Sequence, residues 1–136
     1  MIIESGGKMK GITYDVNKLS ESGKFDTSVS KLFFYSTQEY FNALTDFVQN
    51  YKQDLANYTP AFVIHSEDSR KEFINECFAV RASLVRLGMP ELLDALDTLE
   101  NAAISKHEKE FSDGQIKFRA TIKIYKEKIK EAEKKK

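Results

Sequence analysis

One cysteine, two prolines, no tryptophan and no net charge set the first limits on this chain of 136 residues. The lone Cys77 excludes a disulfide framework and a multi-cysteine zinc site. Two prolines and six glycines exclude collagen-like and low-complexity chains. Twenty-one Lys and Arg against twenty-one Asp and Glu leave no basic excess of the kind a dedicated nucleic-acid binder needs. No run approaches the roughly 18 apolar residues of a membrane-spanning helix. The opening Met1-Ile2-Ile3-Glu4-Ser5-Gly6-Gly7-Lys8 lacks the basic flank and apolar stretch of a secretory signal. These absences, with a free thiol, set the expected location in the cytoplasm.

What is present is enough apolar material for one core, at 41% hydrophobic residues, and a length that fits one domain. Residues 1–29 hold four of the six glycines and several serines, and are expected to be a partly ordered lead-in with one short helical stretch around 15–19. Ser36-Thr37-Gln38-Glu39 then has capping-box spacing. After it, Tyr40, Phe41, Leu44, Phe47, Val48, Tyr51 and Leu55 recur with helical period, ending before Asn57 and Pro60. A second capping box, Ser69-Arg70-Lys71-Glu72, is expected to open the next helix, with Phe73, Cys77, Val80, Leu84 and Leu87 as its buried stripe.

Gly88 stands where a helix needs a left-handed last residue, and Pro90 suits the first turn of the helix that follows. The two helices are therefore expected as an antiparallel pair. The third helix buries Leu92, Leu96, Leu99 and Ala103 and turns Glu91, Asp94, Asp97 and Glu100 outward. After a break at Ser105-Lys106-His107, the stripe Phe111, Phe118, Ile122, Tyr125 and Ile129 keeps one phase across Gly114, so one helix is expected over about 108–132. No strand signal competes. The expected fold is all-α: an antiparallel up-down four-helix bundle over 30–132, with an extra N-terminal segment and a lysine-rich tail at 133–136.

Catalytic and metal-binding constellations are sparse. His65 and His107 fall in expected loops without a second ligand at helical spacing, and read as solvated surface histidines. Cys77 lies on the buried stripe, with no base to activate it. A di-iron bundle needs Glu-x-x-His pairs, which are missing, and Ser5-Gly6-Gly7-Lys8 lacks the strand and spacing of a phosphate loop. No metal or other cofactor is expected. Seven lysines against three glutamates over 123–136 read as a solvated helix end that complements the helix dipole, not as a nucleic-acid or membrane site.

One feature asks for a reason. The second helix has another apolar row beside its core stripe, formed by Ile74, Phe78 and Val85 with Arg81 between them. Either Phe78 packs under a loop, or it belongs to an exposed patch that meets a partner.

Phe78-Ala79-Val80-Arg81-Ala82-Ser83, four residues on to Leu87-Gly88-Met89-Pro90-Glu91-Leu92, and later Leu99-Glu100-Asn101-Ala102, resembles the histidine-containing phosphotransfer (HPt) signature: His-x-Leu-Lys-Gly-Ser, Ile/Leu-Gly-Ala-x-Glu-Leu and Leu-Glu-x-Ala. Tyr40, Leu44 and Phe47 resemble the family's Tyr-x-x-x-Leu-x-x-Phe helix, and Gly11-Ile12 with Asp15-Val16 its lead-in. The likeness spans about residues 11–130. It sets Phe78 at the phosphoacceptor position, Arg81 at the basic position and Ala82 where the family has glycine. The resemblance thus implies a pseudo-HPt domain without a catalytic residue, not an enzyme. Such a domain docks a response-regulator receiver or a histidine kinase module through Ile74, Phe78, Arg81, Ala82 and Val85, as a monomer or weak homodimer. The alternatives are a working phosphorelay protein that uses another histidine, and a structural module that dimerises through the Phe78 row.

Overall fold

The computed structural model describes residues 12–51, 55 and 58–135. Among the described residues the regular structure is helical apart from one pair of three-residue strands. In order it forms β1 (Ile12–Tyr14), α1 (Val16–Glu21), α2 (Thr27–Phe33), α3 (Thr37–Tyr51), α4 (Pro60–His65), α5 (Glu67–Leu87), α6 (Pro90–Ile104), α7 (Glu108–Glu131) and β2 (Glu133–Lys135). α6 lies between α5 and α7, while α3 packs on α7 and α5.

The buried stripes fall where the periodicity places them. Tyr40, Phe41, Leu44 and Val48 of α3, Phe73, Cys77, Val80, Leu84 and Leu87 of α5, and Phe111, Phe118, Ile122, Tyr125 and Ile129 of α7 share one core with the leucines of α6. Phe47 is half-buried at its edge. Ser36 caps α3 by accepting from the Glu39 N–H at 3.1 Å, and Glu39 reaches back to the N–H of Tyr35 at 2.7 Å, one residue further than a standard capping box. α7 runs unbroken through Gly114, where an added Cβ would lie 3.1 Å from Leu99 Cδ1, so the glycine lets α6 and α7 approach closely.

Four expectations change. α5 begins at Glu67, because Ser66 and not Ser69 caps it, its hydroxyl accepting from the Ser69 N–H at 3.3 Å. The loop expected before it contains α4, a helix too short to show a period, started by Pro60 and ended on Ser66. His65 is thus the last residue of a helix. Arg70 ties α4 to α5 by donating to the carbonyls of Val63 and Ile64 at 3.2 and 2.8 Å. The strands were not expected either: Ile12 pairs with Lys135, Thr13 with Lys134 and Tyr14 with Glu133, antiparallel. The expected tail therefore supplies β2 up to Lys135. Finally, the expected boundary at 29/30 falls inside α2, and the segment before it is packed. Leu19 and Phe25 are core residues, Phe25 lies edge-on to Tyr125 at 5.0 Å, and the Tyr125 hydroxyl donates to the Lys24 carbonyl at 2.8 Å. Residues 1–11 of the lead-in lie outside the described residues.

Gly88 closes α5 at φ 69° and ψ 51°, in the left-handed region. Its carbonyl accepts from the Asp26 N–H at 2.8 Å, and a Cβ on Gly88 would run into the Asp26 carbonyl oxygen. Gly23, at φ 75°, shares the backbone conformation but has open space around it. Gly23→Ala is therefore expected to lose about 1 kcal/mol, the left-handed penalty alone, and Gly88→Ala about 2–4 kcal/mol, since Asp26 must also move. Urea unfolding of the two variants checks this, and equal losses would contradict the Asp26 contact.

Candidate functional site

α5 is a two-sided helix whose sides separate residue by residue. Cys77 is wholly buried, and the next residue, Phe78, is 76% exposed. A helix advances about 100° per residue, so Phe78 lies about 140° round from the centre of the core stripe and Ala82 points fully outward. Val85 is 50% exposed, Ala82 is exposed and Ile74 is half-buried. Phe78 does not pack under a loop. It rises from a strip whose neighbours, Ala79 and Ala82, are too small to cover it.

Arg81 behaves differently from the expectation of an outward basic residue. Its guanidinium turns sideways onto α6, 2.8 Å from Asp97 and hydrogen-bonded to Glu100 as well. The hydrogen bond to Asp97 comes first among the causes that raise its pKa above the ordinary arginine value, so the group is a firmly charged strut between α5 and α6. The outer acidic face expected on α6 is thereby partly used: Asp97 and Glu100 hold Arg81, and Glu91 holds Lys24 at 2.7 Å.

Beneath this face the Cys77 thiol is pushed up to about 12, first by burial and then by the nearby Glu100 charge. A thiol held that firmly in its protonated form has no nucleophilic role near neutral pH. His65 and His107 lie elsewhere, around the start of α7, where His65 faces Glu108 at 3.4 Å and the His107 Nδ1 sits 2.9 Å from Glu110. Neither stands mid-helix on α5.

The periodicity did not mark what borders the strip at the turn. Leu84, Val85, Gly88, Met89, Pro90 and Leu93, with Asp26, line a cavity of about 190 Å³ that is almost wholly apolar. Leu93 was legible as the second of two adjacent leucines, one more than the buried stripe of α6 needs. Asp26 was not legible, because it arrives from the lead-in through its N–H bond to Gly88. A larger groove, about 420 Å³, runs between α6 and α7 beside Gly114. Its carboxylates are already engaged, Glu110 with His107 and Asp113 with Lys109 at 3.1 Å. Phe33, Tyr35 and Phe62 are exposed as well, and among these aromatics Phe78 is the one that stands in the middle of a long helix.

No family model, curated protein or solved structure matches this chain. Among the described residues no helix is long and apolar enough to cross a membrane, and no three metal-ligating side chains cluster.

Removing the strut tests the electrostatics of the face. Arg81→Ala strands Glu100, which is largely covered, and is expected to lower stability by about 1–2 kcal/mol. Arg81→Lys is expected to recover only part, since an ammonium does not fork between two carboxylates. Thermal unfolding of the pair checks the order, and a full recovery by lysine would mean that the two-carboxylate geometry contributes nothing.

Proposed function

We propose that this chain is a non-catalytic docking module of the HPt type, with α3, α5, α6 and α7 arranged as an antiparallel up-down four-helix bundle. In this reading it binds a receiver domain or a histidine kinase module of a two-component pathway through the Phe78 face of α5 and transfers no phosphoryl group. The observation that carries the proposal is the exposure of Phe78 in the middle of a long helix, ten residues before the Gly88 turn. An exposed phenylalanine of this kind costs solubility when nothing covers it. Covering it removes on the order of 100–150 Å² of apolar surface, worth roughly 3 kcal/mol before the costs of association.

Its chemistry fits docking without transfer. Phosphoryl transfer through an HPt domain needs an imidazole nitrogen at the docked position, and a benzyl ring has none. The nearest thiol, Cys77, is buried and protonated. Arg81, which the resemblance sets at the charge-balancing position, is turned to α6 instead of outward. What is left at the face is an aromatic anchor on a flat helical strip, the side-chain type that dominates interface energetics.

The reading is tested with purified receiver and kinase dimerisation domains titrated into the isotope-labelled chain. Phe78→Ala is expected to weaken the complex by about 1–2 kcal/mol or more while leaving folding stability within about 0.5 kcal/mol, since the ring is not part of the core. Incubation with acetyl-phosphate-charged receivers is expected to leave no acid-labile phosphate on the chain. Such label, lost on replacing His65 or His107, would establish a working phosphorelay protein instead. A dimer that dissociates on Phe78→Ala, with no receiver or kinase bound, would establish the structural module.

A further inference from the structure

We infer that the Phe78 face takes an amphipathic protein helix that carries lysine or arginine along the flank lying over α6. The inference rests on the docking reading above and adds the chemistry of the partner. Three observations lead to it.

The first is the register of α5 against α6. Arg81 meets Asp97 and Glu100, and Val85 shares the small cavity with Leu93. Continued along the antiparallel pair, that register brings Ile104, 55% exposed, level with Ile74. The apolar surface therefore reaches from the cavity at the Gly88 turn, past Phe78, to Ile74 and Ile104. Along α5, Ile74 to Val85 spans about 16 Å, which matches three turns of a helix.

The second is what this face lacks. Backbone N–H and C=O groups within α5 and α6 are committed to their own helices, so the surface offers side chains and no hydrogen-bonding edge. A segment that covers a desolvated apolar strip must satisfy its own backbone. A helix does so internally, whereas an extended peptide needs a strand edge that this face does not present.

The third is the sign of the charge. α6 carries Asp94, Asp97 and Glu100, beside Glu91, which Lys24 holds, and no basic residue of its own. Arg81 is one cation held by two carboxylates, which leaves that cluster negative. Asp26 adds a further carboxylate at the cavity, where it accepts from the Ser28 hydroxyl at 2.5 Å. On the other flank Arg86 lies over the Phe34 ring at 5.4 Å and shares a shallow groove with Asp46, and by helix phase Glu72 and Glu76 lie on that side of α5 too. The carboxylates along α6 select a helix with basic residues on the flank that lies over them. The same rim repels an anionic membrane, and a two-fold contact between copies would add a second negative rim to the same interface.

Two synthetic helical peptides test the inference. They share one leucine ridge and differ only in a flank of lysines or of glutamates. Each is titrated into the isotope-labelled full chain and into its Phe78→Ser variant. The lysine peptide is expected to bind at least about tenfold more tightly, with that advantage shrinking severalfold at about 0.5 M salt as screening shortens the reach of the rim. Shifts are expected along residues 74–85 and 93–104, and to vanish in Phe78→Ser. In the Asp97→Asn, Glu100→Gln double variant Arg81 is released and the preference is expected to fall away or reverse. The unaltered chain at two salt concentrations gives the same information should that variant fold poorly. Equal or tighter binding of the glutamate peptide at the same residues would overturn the charge inference and leave the docking reading standing. Absence of shifts around Phe78 with either peptide, or binding that survives Phe78→Ser, would overturn both. Self-association through Phe78, or sedimentation with phosphatidylserine vesicles lost in Phe78→Ser, would assign the face to a second copy or to a membrane and overturn the inference.

Discussion

The left-handed turn at Gly88 is the constraint on which the arrangement of the helices depends. Four segments converge there. α5 ends on it and α6 starts two residues later, the Asp26 N–H of the lead-in donates to the Gly88 carbonyl, and the Tyr40 hydroxyl of α3 donates to the Leu87 carbonyl at 2.7 Å. A buried helix end leaves carbonyls that must find donors. Here the Met89 N–H returns to Leu84, and Tyr40 and Asp26 supply two more. Burial of its hydroxyl raises the Tyr40 pKa, which keeps it protonated and donating. Tyr125 does the corresponding work one turn away, donating to the Lys24 carbonyl and accepting from the Glu91 N–H at 3.1 Å. The lead-in is thus held to the end of the helical pair by its own Asp26 N–H and by the Tyr125 hydroxyl of α7.

That anchoring explains how α5 keeps one face free. With its C-terminus fixed by the turn and its flank fixed by Arg81 on Asp97 and Glu100, the helix cannot roll to bury Phe78 without breaking the strut and exposing Cys77 or Val80. Rolling would exchange one aromatic against a continuous core stripe, an unfavourable trade in apolar area. The core stripe and the exposed row therefore lie on opposite sides of the same helix. The proposed docking function draws on the exposed side alone, which is why substitutions there are expected to act on binding and not on folding.

The long helices were legible because their apolar residues repeat with one phase over 15 or more positions, and because Ser36, Gly88 and Pro90 mark ends by local chemistry. The exposed row Ile74, Phe78 and Val85 was legible for the same reason, as a second phase on a helix that already had a core stripe. Arg81 was not, since its direction is set by Asp97 and Glu100 sixteen and nineteen residues away. α2 and α4 are too short for a period to declare itself. β1 and β2 are three residues each, their pairing depends on helices that bring residues 12–14 beside 133–135, and no local alternation announces it. The start of α5 was misplaced because both Ser66 and Ser69 are competent caps, and the choice between them is made by α4, which ends on Ser66.

The central claim is that positions 77 and 78 face opposite environments, one sealed in the core and one open to a partner. Thiol modification in the native state reads this directly. A chain with its natural Cys77, and one carrying Cys77→Ala with Phe78→Cys, are exposed to the same reagent near neutral pH. The account predicts no modification of Cys77 until the protein unfolds, and modification of the residue-78 thiol at a rate within about tenfold of a free cysteine. Rapid labelling of Cys77 with protection at position 78 would contradict it.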